Sequence, residues 1–499
     1  MIAVILSQQL FENDIGPLVK AFFPRDEVRV VIGEEISADM SLRAEFEEGN
    51  KVSLIWNGED KIKKNVKWND DRIELKNEIK RTVYHMLSKA CKKELPWGSL
   101  TGIRPTKIAL GKMLEWDNIS SMSSKELDEK RSELTAYIKE KYLVSDEKTA
   151  LAIEVAGLES TMLFPIDRKS TFSLYVGIPF CPTICAYCSF ASSPISDFKG
   201  RVEGYLLALK KEITETARIW KDKTLKTIYF GGGTPTSITA GQLDDLMSHV
   251  LNSFDISGLE EFTVEAGRPD SLSPEKLEVI SKQFARIKPS RGRISVNPQT
   301  MNQKTLNLIG RSHTTEQVKN AIAMARSAGI ETINMDLILA LPEETTSDVA
   351  HTMEEIKALS PDNLTIHSLA LKTKARLSQE WEKWQDYTYR NSDAIMELAT
   401  NAARDLGMHP YYLYRQKNIA GNLENVGYSV PGKEGFYNQL IMEQWHDIAA
   451  CGANGASRHV YFDGKRGWQS DRAENVKNIE EYISRIDEMI GRKERMMGI

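Results

Sequence analysis

Three of the chain's five cysteines, Cys181, Cys185 and Cys188, stand in the run Ile178-Pro-Phe-Cys-Pro-Thr-Ile-Cys-Ala-Tyr-Cys-Ser-Phe190. Thiols gathered on one loop are first of all metal ligands. Zinc normally closes its shell with four ligands on two knuckles. No second knuckle is near: the next histidine is His249, and the only later cysteine is Cys451. A ferredoxin-type cluster would need a fourth cysteine. A Cys-x3-Cys-x2-Cys loop with three ligands fits a cubane 4Fe-4S cluster whose fourth iron is open to a substrate. The plainer alternative is three small buried residues in a turn, or a poor zinc site. The spacing, at a strand end and beside aromatic residues, argues against it.

Other residues with chemical potential recur at regular intervals after the cysteines. Tyr229-Phe-Gly-Gly-Gly-Thr-Pro-Thr236 carries three consecutive glycines, including Gly232 and Gly233 before Thr234, which leave backbone groups open to a ligand. Glu265 ends the next apolar run with a carboxylate. Further on, Tyr411-Tyr-Leu-Tyr-Arg-Gln-Lys-Asn418 combines aromatic rings with Arg415 and Lys417. That combination suits a flat macrocycle bearing carboxylates, and equally an edge strand with solvated charges. In front, Gly98-Ser-Leu-Thr-Gly-Ile-Arg-Pro-Thr-Lys107 reads as a turn before a helix, with an anion-binding loop through Arg104 and Lys107 as the alternative. Cys91 reads as a helix residue and Cys451 as a small packing residue.

The elements that must position these residues follow from periodicity. Phe172–Ile178 is apolar and β-branched and is ended by Pro179, so it predicts a strand feeding the cysteine loop. Strands are expected at Ser173–Ile178, Thr227–Phe230, Glu261–Ala266, Arg293–Asn297, Thr332–Leu339 and Asn363–Leu371. Between them lie helical patterns, clearest over Val202–Trp220. Thr239 with Gln242 and Thr314 with Gln317 have capping-box spacing, and Ser273-Pro274 places proline at a first helical position. Six strand–helix repeats argue for a parallel barrel or an open part of one. Residues 1–165 read as a separate α+β unit, with strands at Ile2–Ser7, Glu27–Ile32, Leu42–Glu47 and Lys51–Trp56. Its helices are expected at Glu74–Cys91, near Thr106, at Ser124–Tyr142 and at Ser145–Leu158. The three expected regions are 1–165, 166–385 and 386–499.

At 499 residues the chain suits two or three domains. A net charge of −5 gives no electrostatic reason to expect nucleic acid. Five cysteines, three of them clustered, do not make a disulfide framework and suit a reducing compartment. The start lacks a basic n-region and a small-residue cleavage site, and no apolar run reaches membrane-spanning length. A cytoplasmic protein without a membrane span is expected.

The cysteine spacing is that of the radical S-adenosylmethionine (SAM) superfamily. Leu174-Tyr-Val-Gly-Ile-Pro-Phe-Cys181 resembles the oxygen-independent coproporphyrinogen III oxidase family, which has Tyr-Val-His-Ile-Pro-Phe-Cys there. The chain departs from it at Gly177, where the family has histidine, and at Phe190, where the founding branch has a further cysteine. Tyr414-Arg-Gln-Lys-Asn-Ile-Ala-Gly421 and Leu100-Thr-Gly-Ile-Arg-Pro-Thr-Lys107 resemble the HemZ-type coproporphyrinogen dehydrogenase branch over nearly the whole chain. The resemblance implies an α/β fold: a partial (β/α)6 barrel, with an α+β domain before it and a family-specific extension after it. It implies SAM contacts from Gly232, Gly233, Thr234, Glu265, Gln299, Arg311 and Asp336, and a cluster held by Cys181, Cys185 and Cys188. Tyr175 is implied as a residue holding SAM or a propionate, and Arg415 and Lys417 as propionate ligands. The implied reaction is oxidative decarboxylation of coproporphyrinogen III propionates to vinyl groups by a 5′-deoxyadenosyl radical, with an electron donor such as flavodoxin or ferredoxin. A haem chaperone, or a radical enzyme acting on another tetrapyrrole, stands as the alternative. The chaperone branch carries the histidine at 177 and a C-terminal His-Asn-Arg-x-Tyr-Trp segment, where this chain has Gly177 and Gly421-Asn-Leu-Glu-Asn425.

Overall fold

In the computed structural model the described residues are all but 25, 48–50, 58–60, 68–70, 103, 117–121, 288–290, 390, 417–418 and 420–422. The chain divides into two compact units, Met1–Gly157 with Leu413–Glu424, and Leu158–Tyr412 with Asn425–Ile499.

In the first unit the strands run in the order Val28–Ile32, Ile2–Leu6, Met40–Glu47, Lys51–Asn57, Lys61–Lys67. The first three are parallel and the rest pair antiparallel. The helix Arg72–Cys91 starts where the Asp71 carboxylate accepts from the amides of Ile73 and Glu74. It packs Leu75, Ile79, Val83, Met86 and Leu87 into the same core as Ile2, Val4, Leu42 and Trp56. The turn expected at Gly49-Asn50 lies outside the described residues. The helix Glu12–Phe22 has no counterpart among the sequence expectations. It carries Pro17 in its interior and has no side-chain cap, so neither usual signal marks it.

The second unit is built on a sheet in which six parallel strands follow one another in chain order. They are Thr171–Ile178, Thr224–Gly232, Glu261–Glu265, Arg291–Ser295, Thr332–Leu339 and Asn363–Ser368. With a helix after nearly every strand, this is the partial (β/α)6 barrel. The expected caps are present: Thr239 and Gln242 form a capping box, as do Thr314 and Gln317, and Ser273 caps the helix that opens on Pro274. Residues after 386 extend the same sheet. Asn425–Ser429 pairs antiparallel with Asn363–Ser368 at one end. At the other, Asp447–Cys451 lies parallel beside Thr171–Ile178 and leads into the hairpin Ala456–Asp463 and Gly467–Glu474.

Inward-facing positions of these strands form polar layers. Low in the barrel, the Glu261 carboxylate accepts from the amides of Phe436 (2.5 Å) and Tyr437 (3.2 Å), the start of the helix Phe436–Glu443. That helix plugs the floor, and its Tyr437 ring stacks on Tyr229 at 4.4 Å. With the floor filled, ligands are left the upper end, where the strands' carboxyl ends and their loops lie.

Candidate functional site

The loop after Thr171–Ile178 is held by the backbone. Phe180–Cys181 pairs with Ser193–Pro194, Cys188 N donates to Cys185 O at 3.1 Å, and Ala186 N donates to Ile309 O at 2.9 Å. Ala186 O in turn accepts from Leu377 N at 2.9 Å. Cys185 is buried, while Cys181 and Cys188 are half-buried. Burial pushes the Cys181 thiol up to about 11, and its neighbours Cys188 and Cys185 push the same way. Burial also raises Cys188. Such thiols give up their protons when a metal takes them. Among the described residues no group of three or more His, Cys, Asp or Glu side chains could hold a single metal ion.

Two arginines converge on Cys185. Arg311 Nη1 lies 3.8 Å from its Sγ and 3.2 Å from Tyr187 Oη. Arg311 Nη2 donates to the carbonyls of Gly267 (2.8 Å) and Asn297. Arg268 Nη1 is also 3.8 Å from Cys185 Sγ and donates to Thr183 O at 3.0 Å. Its Nη2 pairs with Asp270 at 2.7 Å. The sequence singled out Arg311 and missed Arg268. The available signal was Gly267-Arg-Pro-Asp270 directly after the third strand, an arginine before proline with an acid two residues on.

The expected SAM residues come together at the barrel's upper end. Gly232 has φ +111°, and a Cβ on Gly233 would stand 2.9 Å from Cys181 Sγ, so the glycine loop lies against the cysteine loop as only glycine permits. Thr234 Oγ1 donates to Glu265 O at 3.2 Å. The Glu265 carboxylate accepts from Tyr229 Oη and, at 3.3 Å, from Asn297 Nδ2. Burial, with Asp336 facing it, pushes Glu265 up to about 7. Asp336 itself is held below the usual range despite burial, by His367 at 3.7 Å and Asn334 at 2.7 Å. Gln299 is held at φ 69° between Asp336 and Ile338, its N donating to Asp336 O at 3.0 Å and its O accepting from Ile338 N at 2.9 Å. Its Oε1 is buried without a partner, as is Arg311 Nε. Buried polar atoms of this kind normally have a partner, so both atoms point to a ligand. Tyr229, Asn297 and His367 were not singled out as contacts in the sequence, because their roles arise from cross-strand neighbours.

The Tyr175 ring lies over two glycines paired in register, Gly177 and Gly231, with ring carbons 3.3 and 3.2 Å from where their Cβ atoms would stand. It stacks on Tyr229 at 6.2 Å. The family histidine position is thus a glycine against which a tyrosine rests, and a Cβ there would also meet Cys451 O at 3.3 Å. Cys451 is buried beside Thr216 (3.3 Å) and Lys493 (3.8 Å), among packing partners as expected.

The expected propionate ligands have other surroundings. Arg415 is only 5% exposed. It donates to Leu100 O at 2.8 Å and lies over the Trp97 ring. Burial, partly offset by Glu424, brings its guanidinium down to about 10. Tyr411 is buried as well, its hydroxyl accepting from Asn438 at 3.0 Å. Lys417 lies outside the described residues. Burial against Trp97 takes Arg415 out of the set of cations open to a ligand. Among the described residues no helix is long and apolar enough to cross a membrane.

A radical SAM superfamily model matches residues 175–356. The oxygen-independent coproporphyrinogen-III oxidase-like protein HemZ of Bacillus subtilis (strain 168) is 40% identical over 391 residues, covering 78% of this chain and 74% of the relative. The chain belongs to the radical SAM superfamily and to its coproporphyrinogen III oxidase-like family. The chain is also similar to a haem chaperone: HemW of Lactococcus lactis subsp. lactis (strain IL1403) is 32% identical over 286 residues, covering 57% of this chain and 69% of that one. Coproporphyrinogen III oxidase (HemN) from Escherichia coli shares the fold, with a TM-score of 0.50 at 21% identity over 67% of this chain and 73% of that one. A radical SAM family implies a 4Fe-4S cluster and SAM. The three thiols, the glycine cradle and the orphaned Gln299 and Arg311 atoms fit both.

Proposed function

We propose that this chain oxidatively decarboxylates the propionates of coproporphyrinogen III to vinyl groups without oxygen. The observation that carries the reading is the meeting of the cysteine loop with Gly233, Glu265, Gln299, Arg311 and Asp336 at one end of a barrel whose floor is plugged. Cys181, Cys185 and Cys188 would hold the cluster. When cluster and SAM are bound, the chemistry supplied is one-electron cleavage of SAM and removal of a hydrogen atom from the substrate. Glu265 would take the SAM ammonium, Asp336 a ribose hydroxyl, and Gln299 and Arg311 the remaining polar groups through their unpartnered atoms. Tyr175, stacked on Tyr229 over the paired glycines, would hold SAM or the substrate in place. Substrate choice is supported by the 40% identity to a coproporphyrinogen-III oxidase-like protein. The lack of both haem-chaperone signatures, with Gly177 and Gly421-Asn-Leu-Glu-Asn425 in their places, supports it too.

The test is an anaerobic assay of the reconstituted protein with SAM, a reductant and coproporphyrinogen III, following CO2 and vinyl products. Stoichiometric haem binding with no vinyl product would instead support the chaperone reading, which the HemW relatives favour.

A further inference from the structure

The segment 98–107 reads in the sequence as a turn or as an anion loop through Arg104 and Lys107, and the barrel chemistry makes no use of it. In the first unit it meets a different cation, on the helix Arg72–Cys91. Lys80 Nζ donates to Thr101 Oγ1 at 2.9 Å, and Lys80 is only 7% exposed. Among the described residues that hydroxyl is its one acceptor, and no carboxylate comes within ion-pair distance of it. Two of the three ammonium donors are therefore left without a protein acceptor. Three residues earlier on the same helix face, Asn77 is just as buried, and its Nδ2 has no hydrogen-bond partner. A helical side chain leans towards the start of its helix, which carries Lys80 back over Asn77. Asn77 also neighbours Tyr142, whose carbonyl accepts from Ser99 N at 2.8 Å. Both donors thus face the short stretch from Ser99 to Thr101.

The surroundings add positive charge. Arg415 donates to Leu100 O at 2.8 Å, one residue from the hydroxyl that takes Lys80. Burial brings the Lys80 ammonium down to about 8; Asp14 opposes this from beyond ion-pair distance, while Lys76 and Arg415 push the same way as burial. Glu424, the acid beside Arg415, is already engaged by Lys148 at 2.9 Å and by Trp97 Nε1 at 2.7 Å. Spare ammonium donors and an orphaned amide N–H group, with a second cation close by, have an oxyanion as their common complement. A phosphate group, with acceptor oxygens pointing several ways, answers donors arriving from two side chains. The way in lies at Gly102, which is exposed and has nothing within 4 Å of where a Cβ would stand.

We propose that Lys80 and Asn77 form a phosphate-binding site beside Thr101 in the first unit, with Arg415 adding charge but no contact. The site is independent of the barrel and of the oxidase reading.

The test uses the cluster-loaded full chain and radiolabelled inorganic phosphate in equilibrium dialysis. Wild type should hold one phosphate per chain. Lys80→Met should bind it at least about tenfold more weakly, and Asn77→Ala several-fold more weakly. Lys465→Glu, on the exposed turn of the hairpin in the second unit, should change nothing. Thermal unfolding gives a second readout. Wild type should melt higher in phosphate than in chloride of equal ionic strength, and Lys80→Met should melt alike in both. In chloride, Lys80→Met should be at least as stable as wild type, because it removes a buried charge that lacks a counter-ion. A nucleoside monophosphate that displaces the label better than phosphate does upholds the site with a phosphate ester as its source. One that displaces it no better upholds the site with free phosphate. No bound phosphate in wild type overturns the site, as does equal affinity in wild type and both variants. Displacement of the label by acetate as readily as by phosphate overturns the phosphate assignment.

Discussion

Arg268 Nη1 lies 3.8 Å from Cys185 Sγ, and the same nitrogen donates to the carbonyl of Thr183 two residues before it. One guanidinium therefore both tethers the cysteine loop and faces the Cys185 sulfur on it. Arg268→Gln should keep the fold but loosen the loop. Partners that orient a metal ligand are worth about ten- to hundredfold in metal affinity, so the reconstituted variant should lose iron faster under a chelator. Its cluster potential should fall, because a positive charge that favoured the reduced form has gone. Iron release at the wild-type rate, with an unshifted redox titration, would show that Arg268 merely pairs with Asp270.

The cysteines divide by position. Cys181→Ala, Cys185→Ala and Cys188→Ala should each abolish iron–sulfur absorbance and all SAM cleavage. Cys91→Ala and Cys451→Ser should keep both, since Cys451 is packed against Thr216 and Lys493. Loss of the cluster in Cys451→Ser would mean that the ligands have been assigned wrongly.

If Glu265 takes the SAM ammonium as proposed, SAM binding should depend on pH. The Glu265 carboxyl is raised to about 7 by burial and by Asp336, so a large share of it is protonated at neutral pH, while the SAM ammonium needs the ionised form. SAM affinity should rise from pH 6 to pH 8, with a proton released on binding. Glu265→Gln should flatten that slope and weaken binding by about tenfold, the loss of one charge-assisted contact. Stability runs the other way. A carboxyl whose folded pKa lies above its unfolded one favours the fold below the unfolded value, and that contribution is lost as pH rises towards 7. Without SAM, the melting temperature of Glu265→Gln should therefore fall less than that of wild type between pH 5 and pH 8. Isothermal calorimetry in buffers of different ionisation enthalpy reads the proton directly.

Lys493 and Glu212 form a buried ion pair at 2.6 Å, and Asn475, Tyr482 and the amide of Gly452 also donate to Glu212. Removing one partner of such a pair strands the other in the interior. Lys493→Met should cost about 3 kcal/mol in urea unfolding. Glu212→Gln/Lys493→Met should recover part of it. A single variant as stable as wild type would show that the hydrogen bonds alone satisfy Glu212.

Local signals in the sequence carried much of the fold. Thr239, Ser273 and Thr314 act within a few residues of themselves, and the structure uses each as expected. Asp447–Cys451 escaped because all five residues are buried, which removes the alternation that marks a half-buried strand. The hairpin after it escaped for the opposite reason: much of Gly467–Glu474 is exposed and polar on both faces. At the candidate site, the gathering of three cysteines on one loop was legible from spacing alone. Arg268, Tyr229 and His367 were not, because each acquires its partner from another strand or loop. Arg415 misled because an aromatic and basic run reads the same whether its cation faces a ligand or, as here, a tryptophan in its own core.

The strand that delivers the cysteine loop has Asp447–Cys451 as its parallel neighbour on one side, and the turn at Gly452 sits directly on Gly177. On the ribosome that side stays an open edge until Asp447–Cys451 has been made, after all six parallel strands. The half-built barrel must emerge with its three thiols mounted on an unfinished strand. A protein cut short before Asp447 would present the cysteines without the wall that fixes them.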